Sequence, residues 1–166
     1  CVCGLNAEMN TDTGRCECAA GFGGDATNPS VGCMPCGTTS YKSGVGNTLC
    51  TACPPGASIS NGVTDATNAD SCLCGTNMQM NADTDRCECA AGYGGDATNA
   101  GIGCSACGTT SYKADVGNTQ CTSCPSGSSI ADGDTDATSS DSCVCGVNAE
   151  MNTDTCLLYT SDAADD

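Results

Sequence analysis

Apolar residues are sparse along this chain and never settle into a sustained rhythm. No window carries the 3.6-residue spacing of an amphipathic helix, and Gly, Thr, Asn and Ser interrupt every apolar run. Punctuation recurs instead. Gly21-Phe22-Gly23-Gly24 and Gly44-Val45-Gly46-Asn47 are turn signals. Short stretches near the cysteines, such as Thr38 to Lys42, predict two-stranded hairpins. Helix is expected nowhere beyond a single turn. The pattern therefore predicts short strands strung between turns, with few apolar side chains to hold them together.

Composition sharpens that difficulty and then resolves it. Leu, Ile, Val and Phe together number 16 of 166 residues, and the net charge at pH 7 is -16. Such a chain would ordinarily stay disordered, because it buries too little surface to offset conformational entropy. The 19 cysteines reverse the expectation. A Cys content above roughly 8–10% marks a disulfide scaffold, and disulfides persist in oxidising compartments, so the chain is expected to be secreted or displayed at a cell surface.

The cysteines follow an internal repeat. Residues 1–71 align with residues 72–142 without a gap, and 48 of the 71 positions are identical. Cysteines 1, 3, 16, 18, 33, 36, 50 and 53 superpose on 72, 74, 87, 89, 104, 107, 121 and 124. A third copy opens at Cys143 and Cys145 and runs to residue 155. Even counts of eight predict four bridges per unit. After Thr155 the repeat demands a cysteine at position 158; the chain reads Cys156-Leu-Leu-Tyr-Thr-Ser-Asp-Ala-Ala-Asp-Asp instead. That string resembles the in-frame translation of a transposase-type sequencing-library adapter, so residues 156–166 are expected not to belong to the natural protein. The start in mid-pattern, without Met, predicts a piece of something longer.

Charge removes whole classes of function. Arg15, Lys42, Arg86 and Lys113 are the only basic residues against 20 acidic ones, so phosphate backbones and anionic membranes are poor partners. No apolar stretch is long enough for a membrane-spanning helix. His, the usual general base near neutrality, is absent. Cysteine nucleophiles need a free thiolate, which disulfide pairing removes. No enzymatic activity is expected.

Two resemblances place the halves of each unit. Cys16-Glu-Cys18-Ala-Ala-Gly21-Phe22-Gly-Gly24, closed by Cys33, resembles the ending of epidermal-growth-factor-like modules, and Cys87 to Gly95, closed by Cys104, repeats it. The loop to the last cysteine, with 14 residues, is longer than usual for that family, and the acidic calcium-binding opening is missing. The second half, Cys36-Gly-Thr-Thr-Ser-Tyr41-Lys, Gly46-Asn47-Thr48 and Cys50-Thr-Ala-Cys53-Pro54-Pro55-Gly56, is similar to the cysteine-rich modules of tumour-necrosis-factor and ephrin receptors. Residues 1–35 and 36–71 are thus read as two modules, repeated in 72–142. The growth-factor resemblance implies Cys36–Cys50, Cys53–Cys74, Cys72–Cys87 and Cys89–Cys104, with bridging across the repeat boundary and Cys3 paired upstream. In the same phase, Cys1, Cys16, Cys18, Cys33, Cys107, Cys121, Cys124 and Cys145 are expected to be bridged as well; eight cysteines alone permit 105 pairings.

Cys33, Cys36, Cys50 and Cys53 also fit a four-thiolate zinc spacing, which the compartment argument and the interleaved Cys-x-Cys pairs oppose. Asp132, Asp134 and Asp136 alternate like the start of a calcium loop, but Ala137 stands where that loop needs Gly, so a solvated turn is preferred to calcium. Thr27, Thr67, Thr98, Thr138, Thr38, Thr39, Thr109 and Thr110 are candidate O-glycosylation sites in a Thr/Ser-rich surface, with plain solubility as the alternative. Phe22, Tyr93, Tyr41 and Tyr112 are expected to pack against disulfides.

The expected fold is small and disulfide-rich, an elongated array of growth-factor-like and receptor-type modules with short β-hairpins and no metal or cofactor. Similar repeats occur in protist surface antigens, ciliate or algal, and in flagellar-hair filament proteins. The expected function is structural: a filament, coat or stalk that self-associates. The alternative is an adhesive or ligand-binding ectodomain, which should concentrate exposed apolar side chains on one unit.

Overall fold

A computed structural model describes residues 2–99, 101–146, 149–152 and 155–158. Among these the only helical elements are single 3-10 turns, and the strands form nine two-stranded antiparallel sheets. The protein is a small disulfide-rich fold of short β-hairpins. In the first repeat β1 (Ala7–Asn10) pairs with β2 (Arg15–Cys18), β3 (Phe22–Asp25) with β4 (Gly32–Pro35), β5 (Ser40–Tyr41) with β6 (Thr51–Ala52), and β7 (Ala57–Ile59) with β8 (Cys72–Cys74). The order recurs in β9 (Met78–Asn81) and β10 (Arg86–Cys89), β11 (Tyr93–Asp96) and β12 (Gly103–Ala106), β13 (Ser111–Tyr112) and β14 (Thr122–Ser123), and β15 (Ser128–Ile130) and β16 (Cys143–Cys145). β17 (Ala149–Asn152) and β18 (Thr155–Leu158) follow. The hairpin expected near Thr38 to Lys42 is β5 with β6, held by the register Tyr41↔Thr51.

The chain divides into two compact units, residues 1–75 with 84–87, and residues 76–83 with 88–166. They are offset from the sequence repeat because β8, which opens the second copy, completes the sheet begun by β7 of the first: Ala57 faces Cys74 and Ile59 faces Cys72. A tandem repeat has no intrinsic starting point, and only strand pairing sets its structural phase.

Each unit is held by sulfur more than by hydrocarbon. The buried apolar positions are almost all Cys and Ala, joined by Ile59 in one unit and Ile130 in the other. Ile130, Ala137 and Cys143 form a small cluster, with Tyr112 and Cys124 against it. Small domains with so little core need covalent staples.

The bridges join nearest neighbours along the chain: Cys3–Cys16, Cys18–Cys33, Cys36–Cys50, Cys53–Cys72, Cys74–Cys87, Cys89–Cys104, Cys107–Cys121 and Cys124–Cys143. Three implications of the growth-factor pairing are corrected. Cys53 bonds Cys72, not Cys74; Cys74 bonds Cys87, leaving Cys72 no bond to it; and Cys3 finds Cys16 within the chain. Cys72 and Cys74 are two apart on one strand and so lie on the same side of it, and the backbone decides between them. The observed partners sit at Cα separations of 5.6 Å for Cys53–Cys72 and 5.5 Å for Cys74–Cys87, within bridging range. Two bridges, Cys53–Cys72 and Cys124–Cys143, do cross the sequence-repeat boundaries. A ninth joins Cys145 to Cys156, the first residue of the adapter-like string. Cys1 lies outside the described residues, as do the positions from 159 onward.

Candidate functional site

A lysine and an asparagine present in both copies tie the two halves of each unit together. Lys42 follows β5 and is 5% exposed; its counterpart Lys113 is equally buried. An isolated buried ammonium is costly unless every proton finds an acceptor. The Lys42 Nζ donates to the carbonyls of Cys18 (2.9 Å) and Ala19 (3.2 Å). Lys113 Nζ donates to Cys89 (3.1 Å), Ala90 (3.2 Å) and Asp115 (2.7 Å). Burial lowers the pKa of both lysines. Glu17 opposes the shift at Lys42, as do Asp115 and Glu88 at Lys113. The backbone of the same residue ties three segments: Gly21 N donates to Lys42 O (2.8 Å), and Lys42 N donates to Ala66 O (3.1 Å).

A second pin is Asn47, from the Gly46-Asn47-Thr48 motif. Its Oδ1 accepts from Cys18 N (3.2 Å) and Ala26 N (2.9 Å). Asn118 does the same for Cys89 N (3.2 Å) and Ala97 N (3.0 Å). Gly21, at φ +81, closes the joint: a Cβ there would lie 2.3 Å from Asp65 O, and Gly92 meets Asp136 O at the same distance. Only glycine fits at that approach.

The sulfur-ligand alternative is displaced by these bridges. Cys33, Cys36, Cys50 and Cys53, which matched zinc spacing, are bonded to Cys18, Cys50, Cys36 and Cys72. Around Asp132, Asp134 and Asp136 the backbone makes a single 3-10 turn with Asp132 at φ +57, and Ala137 is buried. Asp136 accepts a bond from the Tyr93 hydroxyl (3.1 Å), which raises the Tyr93 pKa. Among the described residues no group of three or more His, Cys, Asp or Glu is placed to hold a metal ion.

The eight candidate threonines are all exposed. Two have engaged hydroxyls: Thr27 Oγ1 donates to Asp25 (2.7 Å) and Thr98 Oγ1 to Asp96 (2.6 Å). The aromatic residues Phe22, Tyr41, Tyr93 and Tyr112 are half-buried. Sequence reasoning missed the lysine and asparagine pins. The available signal was that, in a chain so poor in cations, both lysines follow Tyr in the same motif. It also missed an asymmetry. Leu5, Met34, Leu49 and Val63 of the first unit are exposed, whereas their counterparts are Thr76, Ser105, Gln120 and Asp134.

The chain matches no protein-family model and no curated protein sequence. Among the described residues no helix is long and apolar enough to cross a membrane.

Proposed function

We propose that this chain is a structural repeat protein of an extracellular filament, surface coat or stalk, without enzymatic activity. The observation that carries the reading is the duplication of the whole supporting framework. The bridges, the buried lysine and the asparagine pin recur at positions 71 residues apart in both units, among the 48 of 71 aligned positions that are identical. A scaffold kept in both units, with no group of three or more His, Cys, Asp or Glu placed to hold a metal ion among the described residues, fits a load-bearing role. The module resemblances and the density of disulfides support an oxidising, extracellular setting. Within this reading, O-glycans decorate Thr38, Thr39, Thr67, Thr109, Thr110 and Thr138; a glycan on Thr27 or Thr98 would break its bond to an aspartate.

Immunogold imaging of native material tests the proposal. Labelling along an ordered filament or coat, at a spacing commensurate with one repeat, is the expected result. Diffuse soluble protein with no ordered assembly would overturn it. Intact mass of the same material should show hexose-sized increments if the threonines are decorated.

A further inference from the structure

The segment between β13 and β14 of the second unit has a fixed backbone and polar side chains that the fold does not use. Lys113 Nζ is bonded to three carbonyls, Asp115 O among them. Gly117 N donates to Cys89 O (2.9 Å), Asn118 Oδ1 accepts from Cys89 N and Ala97 N, and Gly95 N donates to Thr119 O (3.1 Å). Cys107–Cys121 and the pairing of Tyr112 with Thr122 close the base. Tyr112, Lys113, Asp115, Thr119, Gln120 and Thr122 line a hollow of about 310 Å³ on this segment. Asp115, Thr119, Gln120 and Thr122 are exposed, and no hydrogen bond among the described residues engages their side chains. Polar groups held out on a rigid frame are what a small-molecule site requires.

The first unit keeps the frame and not the lining. Tyr41, Lys42, Thr48 and Thr51 match Tyr112, Lys113, Thr119 and Thr122, but Gly44 stands for Asp115, Leu49 for Gln120 and Ser43 for Ala114. Leu49 is 84% exposed and Gln120 is exposed too, so packing gives no reason for the difference.

The lining selects the ligand. Burial lowers the pKa of Lys113 and the Asp115 charge opposes that shift, so a cation and an anion lie together and the hollow carries little net charge. An anionic ligand is repelled by a chain of net charge -16, and a cationic one meets the ammonium of Lys113. An apolar ligand would bury the polar side chains without partners. A neutral ring of hydroxyl groups with one C–H face satisfies both the polar groups and the aromatic side chain.

We propose that this hollow of the second unit is a carbohydrate site, which holds one neutral hexose with its C–H face on Tyr112 and its hydroxyls bonded to Asp115, Thr119, Gln120 and Thr122. Its volume, at the small end of the roughly 300–1,000 Å³ of ligand pockets, suits one ring. The site goes beyond the scaffold reading and does not depend on it: the second unit binds sugar whether or not the chain assembles into a filament or coat.

NMR titration of the oxidised, nitrogen-15-labelled chain tests it, with the methyl glycosides of glucose, galactose and mannose as probes. Glucuronate, methylammonium and cyclohexanol are the anionic, cationic and apolar controls. At least one hexoside is expected to shift the amides of Asp115, Thr119, Gln120 and Thr122 saturably, with a millimolar dissociation constant, while those of Gly44, Thr48, Leu49 and Thr51 stay in place. The controls should bind at least tenfold more weakly. Asp115→Gly with Gln120→Leu, which installs the first unit's residues, should weaken binding at least tenfold. The reciprocal Gly44→Asp with Leu49→Gln should add a second site; a Cβ at Gly44 meets nothing within 4 Å. Unreduced mass and circular dichroism confirm that each variant is folded. Failure of all three hexosides to bind, equal binding of any control, undiminished binding by the Asp115→Gly, Gln120→Leu protein, or no second site in the reciprocal variant would each overturn the proposal.

Discussion

At the scale of single residues, the fold depends on polar groups placed where apolar ones would ordinarily serve. Lys42 is the clearest case. Replacing it by Met preserves most of the volume but leaves the carbonyls of Cys18 and Ala19 without the ammonium. Each carbonyl keeps a backbone donor, Gly46 N at 2.9 Å for Cys18 and Phe22 N at 3.1 Å for Ala19, so the cost is that of losing hydrogen bonds from a charged group, about 1.5–3 kcal/mol, and chemical denaturation of Lys42→Met should show a loss of that size. Gly21→Ala fails for a different reason, since its Cβ would meet Asp65 O and its φ is positive. A loss of roughly 2 kcal/mol is expected in the same assay. Asp25 supplies a pH dependence. The Thr27 hydroxyl and then the Thr27 amide lower its pKa, so its folded value lies below its unfolded one. Its contribution is present above the unfolded value and disappears as pH falls through the folded one. Carboxyl-detected NMR should find the Asp25 midpoint below the usual aspartate range, and Thr27→Val should move it upward; an unmoved midpoint contradicts the assignment.

At the scale of elements, the sequence disclosed what is local. Turn glycines, the short alternating stretches and the cysteine repeat point to hairpins, and hairpins are what form, with β3 and β4 in the register Gly24↔Cys33. Two of the bridges implied by the growth-factor resemblance were right, Cys36–Cys50 and Cys89–Cys104. The choice between Cys72 and Cys74 was not. Two cysteines on one side of β8 compete for the same partners, and the outcome depends on how β8 meets β7 and where the Pro54-Pro55-Gly56 turn lies. Cys87 N donates to Pro55 O (2.9 Å), and a Cβ at Gly56 would lie 2.9 Å from Cys87 Cβ, which holds Cys87 beside Cys74. The lysine pin was hidden for the same reason: its acceptors lie 23 and 24 residues away. Removing one bridge as Cys18→Ser with Cys33→Ser should lower stability by about 2–5 kcal/mol, read as an earlier denaturation midpoint.

At the scale of the molecule, every basic residue lies inside a loop closed by one disulfide. Arg15 falls between Cys3 and Cys16, Lys42 between Cys36 and Cys50, Arg86 between Cys74 and Cys87, and Lys113 between Cys107 and Cys121. Trypsin acting on the unreduced protein should release no peptide and add only one water per cut, whereas reduction should free every fragment. Release without reduction would mean that these thiols are not bridged.

The fold rests on a ladder of nearest-neighbour disulfides, whose most exposed rung is the pair around Leu73. Leu73 is half-exposed between Cys72 and Cys74. Mass spectrometry of the unreduced protein, cut at Leu73 with thermolysin, should yield one peptide set joined by Cys53–Cys72 and a separate one joined by Cys74–Cys87. If the two sides stay linked through Cys53–Cys74 and Cys72–Cys87, the bridges interlace and the ladder described here is wrong.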